Sequence, residues 1–239
     1  MATSKSQKGI SSMITDSTRP LVRHRLRSPR AAALAGIAFS LLLGTSLILI
    51  YRSIPAAPTD DGTWLAEHSS TVSLAITLVP FAAIAFLWFM GVIRDQLGEQ
   101  EDQFFSSIFY GSGLLLLVGL FVWMATVGAI LASYAAFPDT WLDSGAYVFA
   151  RTFMHVMGGV VTLRMAGVFM TISGTIWMKT EVMPRWMVWL TYIMGLGLLI
   201  GAGANRWLRL GFLIWVLVVS LFILWGSLQR KEDGENIGA

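Results

Sequence analysis

The stretch Tyr147–Met178, YVFARTFMHVMGGVVTLRMAGVFMTISGTIWM, decides the fold class. It is too apolar for a helix on a soluble domain. It also exceeds the roughly 20 residues that cross a hydrocarbon core of about 30 Å. Yet it holds Arg151, His155 and Arg164. An ionisable side chain at membrane depth is costly and is a functional-site hypothesis by default. One segment therefore implies a spanning helix and marks where to look for a site.

Composition agrees. The 239 residues are 55% hydrophobic and 13% charged, against about 25% charged in a typical soluble domain. The absence of cysteine excludes disulfides, thiolate metal sites and thiol nucleophiles. The net charge is +3 and the basic residues gather at the N-terminus. That placement argues against nucleic acid as a partner.

Working outward, the pattern predicts an all-α, six-helix transmembrane bundle with N-terminus and C-terminus cytoplasmic, multi-pass in the cytoplasmic (inner) membrane. Residues 1–30 read as a disordered basic tail. Residues 31–227 form the membrane domain, with spans at about 31–51, 71–93, 104–136, 147–178, 184–204 and 207–226. Residues 228–239 are a polar cytoplasmic tail expected to fray. The first apolar run is longer than the about 7–15 residues of a signal peptide's core, so it reads as an uncleaved anchor. Before it stand Arg19, Arg23, Arg25, Arg27 and Arg30, a cluster suited to anionic lipid headgroups. Its simpler role is to hold the N-terminus in the cytoplasm.

The connecting loops look solvated. Residues 52–70 carry Asp60, Asp61, Glu67 and His68, and residues 94–103 carry Arg94, Asp95, Glu99, Glu101 and Asp102. Neither has the ligand spacing of a metal site. Pro80 inside the second span removes a backbone donor and implies a kink. Pro184 suits the start of the fifth helix.

With the N-terminus inside, 12 of the 17 Lys and Arg residues fall on the cytoplasmic side, 4 outside and Arg164 within the membrane. This satisfies the positive-inside rule. Trp88, Trp177, Trp186, Trp189 and Trp225 fall at inner ends, and Trp141 and Trp207 at outer ends, as an interfacial belt requires. Trp123 and Trp215 lie deeper and read as packing residues.

Arg164 stands out. It lies about 21 Å from the inner end of its span. At 100° per residue, Thr171 and Thr175 each fall within about 20° of it, making a polar stripe. Arg151 and His155 sit nearer the outer boundary on another face and read as interfacial. No Asp or Glu lies deep in any span, so the expected partners of Arg164 are hydroxyls, Tyr192, backbone carbonyls, water or an anionic ligand. A guanidinium with five donors suits phosphate or carboxylate.

Catalytic signatures are missing. There is no G-x-S-x-G and no H-E-x-x-H. Gly201 and Gly203 follow no strand and form no phosphate loop, and the methionines follow no heme or copper pattern. No cofactor is expected.

Two stretches carry a resemblance: FLWFMGVIRDQLGEQEDQFFSSIFYGSGLLLL at 86–117 and LRMAGVFMTISGTIWMKTEVMPRWMVWLTYIMGLGLLI at 163–200. They resemble a family of bacterial polytopic integral membrane proteins without assigned function. That family carries a G-V-x-R-D-x-L-G-E-x-E-D-x-F-F loop and an R-M-A-x-V-F…P-R-W segment. The likeness covers about half the chain. It implies that Arg94, Asp95, Glu99, Glu101, Asp102, Arg164, Pro184, Arg185 and Trp186 belong to a family pattern, and it transfers no activity.

Three readings of function follow. The chain binds or passes a small or anionic ligand at Arg164, Thr171 and Thr175. Alternatively it is a structural or assembly component, packing against a membrane-protein partner or a second copy. A lipid-modifying enzyme is the third, and the missing catalytic constellation weighs against it.

Overall fold

The computed structural model describes residues 29–57, 60–97, 103–203 and 207–236. Among them there is helix and no strand. The helices are α1 (Pro29–Ser53), α2 (Trp64–Glu67), α3 (Ser69–Leu97), α4 (Gln103–Ala136), α5 (Pro138–Trp141), α6 (Gly145–Val156), α7 (Thr162–Thr180), α8 (Arg185–Gly201) and α9 (Leu208–Asn236). A π-helical turn, Met157–Val161, joins α6 to α7 without a break.

Five continuous helical segments are long and apolar enough to cross a membrane: Arg30–Ser53, Ser69–Arg94, Phe104–Ala136, Gly145–Thr180 and Leu208–Gln229. The expected fifth span, α8, has only 17 residues and is about 25 Å long. It is apolar but short of a typical bilayer core. At the C-terminus, α9 persists to Asn236, past the expected limit of its span. Its continuation SLQRKE is made of good helix formers, with serine the weakest. Pro80 does not end α3, which runs through it.

The first helix is antiparallel to both of the helices bonded to it. Ser46 Oγ donates to Ala75 O at 2.7 Å, joining α1 to α3, and Ser40 Oγ to Leu213 O at 3.3 Å, joining α1 to α9. Arg30 Nη2 donates to Ser227 O at 3.3 Å, which brings the start of the first helix against the C-terminal half of the last. We call this the terminal end of the bundle. The opposite, loop end carries residues 54–57 and 60–68 and the C-terminal end of α8.

Rings fill the middle. Phe39 of α1, Phe86 of α3, Phe169 of α7, and Phe212 and Trp215 of α9 lie within 4.7 to 6.4 Å of one another's centroids in a continuous chain. All five are nearly inaccessible. Such contacts add about 0.5–1.5 kcal/mol each beyond burial. Trp215 Nε1 donates to Thr191 Oγ1 at 2.8 Å, so the one polar atom of this plug is satisfied.

The tryptophan pattern is mostly that of a lipid belt. Trp88, Trp186, Trp189, Trp207 and Trp225 are exposed. Trp177 differs from expectation: it is buried and stacks on Trp215 at 5.7 Å. Helical phase turns it inward, which position along the span could not reveal.

Candidate functional site

Three polar places interrupt the apolar bundle. The first is at the loop end, where the chain after α1 folds back as a cap. Gly62 takes a left-handed turn (φ 73°), and its N–H donates to Asp60 Oδ1 at 2.9 Å. This Asx turn leads into α2 and its buried Trp64. Asp60 Oδ1 also accepts from Trp64 Nε1 at 3.0 Å and Tyr147 Oη at 2.6 Å. Its Oδ2 accepts from Arg151 Nε at 2.8 Å and forms a close ion pair with Arg151 Nη2.

Arg151 is therefore buried within the protein at the loop end. It is 2% exposed. Its Nη2 donates to the carbonyls of Pro55 and Ala57 at 3.1 and 3.0 Å, and its guanidinium lies 5.6 Å from the Trp64 ring centre. Tyr147, Arg151, Met154 and Gly158 form one buried stripe at helical spacing, while His155 falls just outside it and is exposed. Asp60 sits outside every span, so looking for carboxylates within the spans missed it. The readable signal was the stripe, which already turns Arg151 toward the core. Burial pushes the Asp60 carboxyl up. Hydrogen bonds from Tyr147 and Arg151, the Arg151 charge and the Gly62 N–H outweigh it and hold the group below its ordinary 3.8. A network this completely satisfied is a structural staple: both carboxylate oxygens and most of the guanidinium donors already have partners.

The second place is the α7–α8 seam. Gly167 and Gly195 face each other so closely that a Cβ on Gly167 would lie 2.7 Å from the Gly195 carbonyl oxygen. Close backbone approach through small residues is a common way for membrane helices to pack. Thr171 and Thr175 belong to this seam. Thr171 Oγ1 donates to Gly167 O at 2.8 Å, and Thr175 Oγ1 to Thr171 O at 3.0 Å. Tyr192 Oη lies 2.9 Å from Thr175 Oγ1. Because the Thr175 proton is already used, Tyr192 is the donor.

Arg164 does not join them. It lies on the expected face, but Thr171 is two turns away, about 10 Å along the axis. Its side chain is exposed, and among the described residues it makes no hydrogen bond or ion pair. It stands between Gly159, whose carbonyl accepts from Gly203 N at 3.0 Å, and Gly167, which abuts Gly195 and Leu199. Arg164 is thus level with the C-terminal end of α8. There the last carbonyls of a helix lack intrahelical donors and carry partial negative charge.

The third place surrounds Arg209 in the first turn of α9. Its guanidinium lies 4.7 Å from the Trp123 ring centre and 5.4 Å from that of Tyr51. The π-helical turn passes beside it. Gly158 there faces Trp123, and Thr162 Oγ1 donates to Met157 O at 2.7 Å. By position along the chain, Arg209 is simply one of the four basic residues on the outer side. The Gly158–Gly159 pair was the available hint.

Among the described residues no three His, Asp or Glu side chains converge as a metal site would require. Arg19, Arg23, Arg25, Arg27, Glu99, Glu101 and Asp102 lie outside the described residues. Compared with protein-family models, curated proteins and solved structures, the chain has no significant match.

Proposed function

We propose that this is a six-span protein of the cytoplasmic membrane, with both termini cytoplasmic, that binds an anionic ligand at Arg164 from the lipid-facing side. The observation that carries the reading is the exposed Arg164 at mid-length of a membrane-crossing helix. Placing an arginine there costs about 2.5–3.5 kcal/mol on insertion scales. A phosphate or carboxylate would engage its planar donors and offset that cost. The short α8 supports the same reading, because it ends level with Arg164 and brings polar backbone to that depth. The aromatic plug speaks against a solute path along the bundle axis. Membership of the bacterial family that residues 86–117 and 163–200 resemble belongs to this proposal, and Arg164 lies in its pattern.

Native mass spectrometry of the purified protein tests the reading. Wild type should retain phosphatidylglycerol or cardiolipin over phosphatidylcholine, and Arg164→Gln should lose that preference. Equal retention by both proteins would sink it. The second reading, an assembly component, rests on the same exposed charge, which an acidic residue of a partner helix would also satisfy. A protein subunit or second copy lost specifically in Arg164→Gln would establish it instead.

A further inference from the structure

A cavity of about 320 Å³ opens at the loop end, between the last turn of α1 and the short α2. Sites for small ligands occupy roughly 300–1,000 Å³. Its floor is buried and includes Ser53, the last residue of α1, and Trp64 of α2. Its rim carries Arg52 and Glu67, both exposed.

One group on the floor stands out. Six serines are buried among the described residues. Ser40, Ser46, Ser112, Ser173 and Ser220 each donate to a backbone carbonyl at 2.7 to 2.9 Å. Ser53 is 5% exposed, lines the cavity and makes no side-chain hydrogen bond to a described residue. Buried polar groups normally have a partner. The Ser53 hydroxyl is thus left for whatever occupies the cavity.

The rim has two signs of charge. Arg52 and Glu67 line the same space, yet neither forms an ion pair with the other or with any described residue. A simple anion would meet the Glu67 carboxylate as well as Arg52, and a simple cation would meet Arg52 as well as Glu67. A ligand carrying both signs a few atoms apart engages each with its opposite.

The walls are fixed before any ligand arrives. Trp64 Nε1 is held by Asp60 at 3.0 Å, and the Pro55 carbonyl accepts from Arg151 at 3.1 Å. His68 N–H donates to Trp64 O at 2.9 Å, and its carbonyl accepts from Val72 N at 3.0 Å, which locks α2 onto α3. The buried staple therefore also holds two sides of this cavity. Its height is that of the aromatic belt: Tyr51, on the floor, packs 5.3 Å from the ring of the exposed Trp207.

We propose that this cavity binds a bipolar aminoalkyl acid, its primary ammonium on Glu67 and its carboxylate or phosphate on Arg52 and Ser53. A free amino acid has this chemistry, and so does the head of phosphatidylethanolamine. The site shares no residue with Arg164 and does not depend on the function proposed above.

Isothermal titration of the purified protein in detergent tests it, with glycine and O-phosphoethanolamine as probes. At least one should bind saturably. Ethanolamine and acetate, which carry one sign each, should bind more weakly than the bipolar probe. Arg52→Gln, Glu67→Gln and Ser53→Ala should each weaken binding about fivefold, the worth of one exposed ion pair or one hydrogen bond. Arg52 and Glu67 are exposed and unpaired, so their substitutions leave the fold intact. Thermal melts in nanodiscs separate the two sources. A Tm raised by phosphatidylethanolamine over phosphatidylcholine in wild type, and not in Glu67→Gln, assigns the lipid head. Glycine binding with equal Tm in the two lipids assigns a free amino acid. Absence of both responses, equal binding of the singly charged probes, or undiminished binding in Arg52→Gln/Glu67→Gln would overturn the site.

Discussion

Arg151 and Asp60, 91 residues apart in the chain, form a buried ion pair with side chains 2% and 6% exposed. The pair ties the connection between α1 and α3 onto α6. It is the most completely enclosed charge in the described structure, in a position that the sequence alone marks as bland.

Removing one partner leaves the other charge buried and unpaired. Asp60→Asn and Arg151→Met should each lower unfolding free energy by about 3 kcal/mol. The double variant Asp60→Leu/Arg151→Met should cost less than the sum of the two. Denaturant titration in detergent micelles measures all three. Single variants that unfold like wild type would remove the staple from this account.

The same pair sets an acid limit. The folded Asp60 carboxyl lies below its ordinary 3.8, so the unfolded chain takes up its proton at a higher pH than the folded chain. Its stabilisation is therefore full well above that value and is lost as pH falls through the folded one. The stability gap between wild type and Asp60→Asn should stay constant near neutrality and narrow below pH 3.8. Thermal unfolding across an acid pH series reads it. A gap that widens as the pH falls would contradict the assignment.

The α7–α8 seam is tight at Gly167 and open at Gly197. A Cβ at Gly167 would meet the Gly195 carbonyl at 2.7 Å, whereas nothing lies within 4 Å of one at Gly197. Gly167→Ala should destabilise by about 1–3 kcal/mol. Gly197→Ala should be neutral or stabilise by up to about 1 kcal/mol through helix propensity. Unfolding of the two variants under identical conditions compares them directly, and a reversed order would refute the packing.

Arg164 makes no bond to the described residues, so Arg164→Leu should change stability in phosphatidylcholine by no more than about 0.5 kcal/mol. Phosphatidylglycerol should then raise the Tm of wild type and not of the variant, because a ligand stabilises only the state that binds it. Thermal melts in the two lipids make the comparison. An identical lipid response would leave Arg164 without a ligand.

The long helices were legible because the bilayer imposes a length and a composition on any chain that crosses it. The segments Tyr147–Met178 and Phe104–Ala136 announce themselves by apolar length alone. The phase of a helix within the bundle is less legible when it is apolar on every side. Trp177 therefore reads as a belt residue and proves to be core, and Arg151 reads as interfacial and proves to be buried. Arg164, Thr171 and Thr175 share a helical direction, yet the threonines bond within the α7–α8 seam while Arg164 is exposed. Helical phase brings side chains to one side, and axial separation still keeps them apart.

The helical class, five helices long and apolar enough to cross a membrane and the few ionisable residues within them were all legible in the sequence. These follow from local chemistry: the cost of exposing a backbone to hydrocarbon and the length needed to cross it. How the charges are partnered follows from the packing of the helices. Asp60 reaches Arg151, Trp123 and Tyr51 flank Arg209, and Arg164 is left on the surface. Pairing depends on how far each helix is rotated and displaced against its neighbours. That is set by contacts such as Gly167 against Gly195, between residues far apart along the chain.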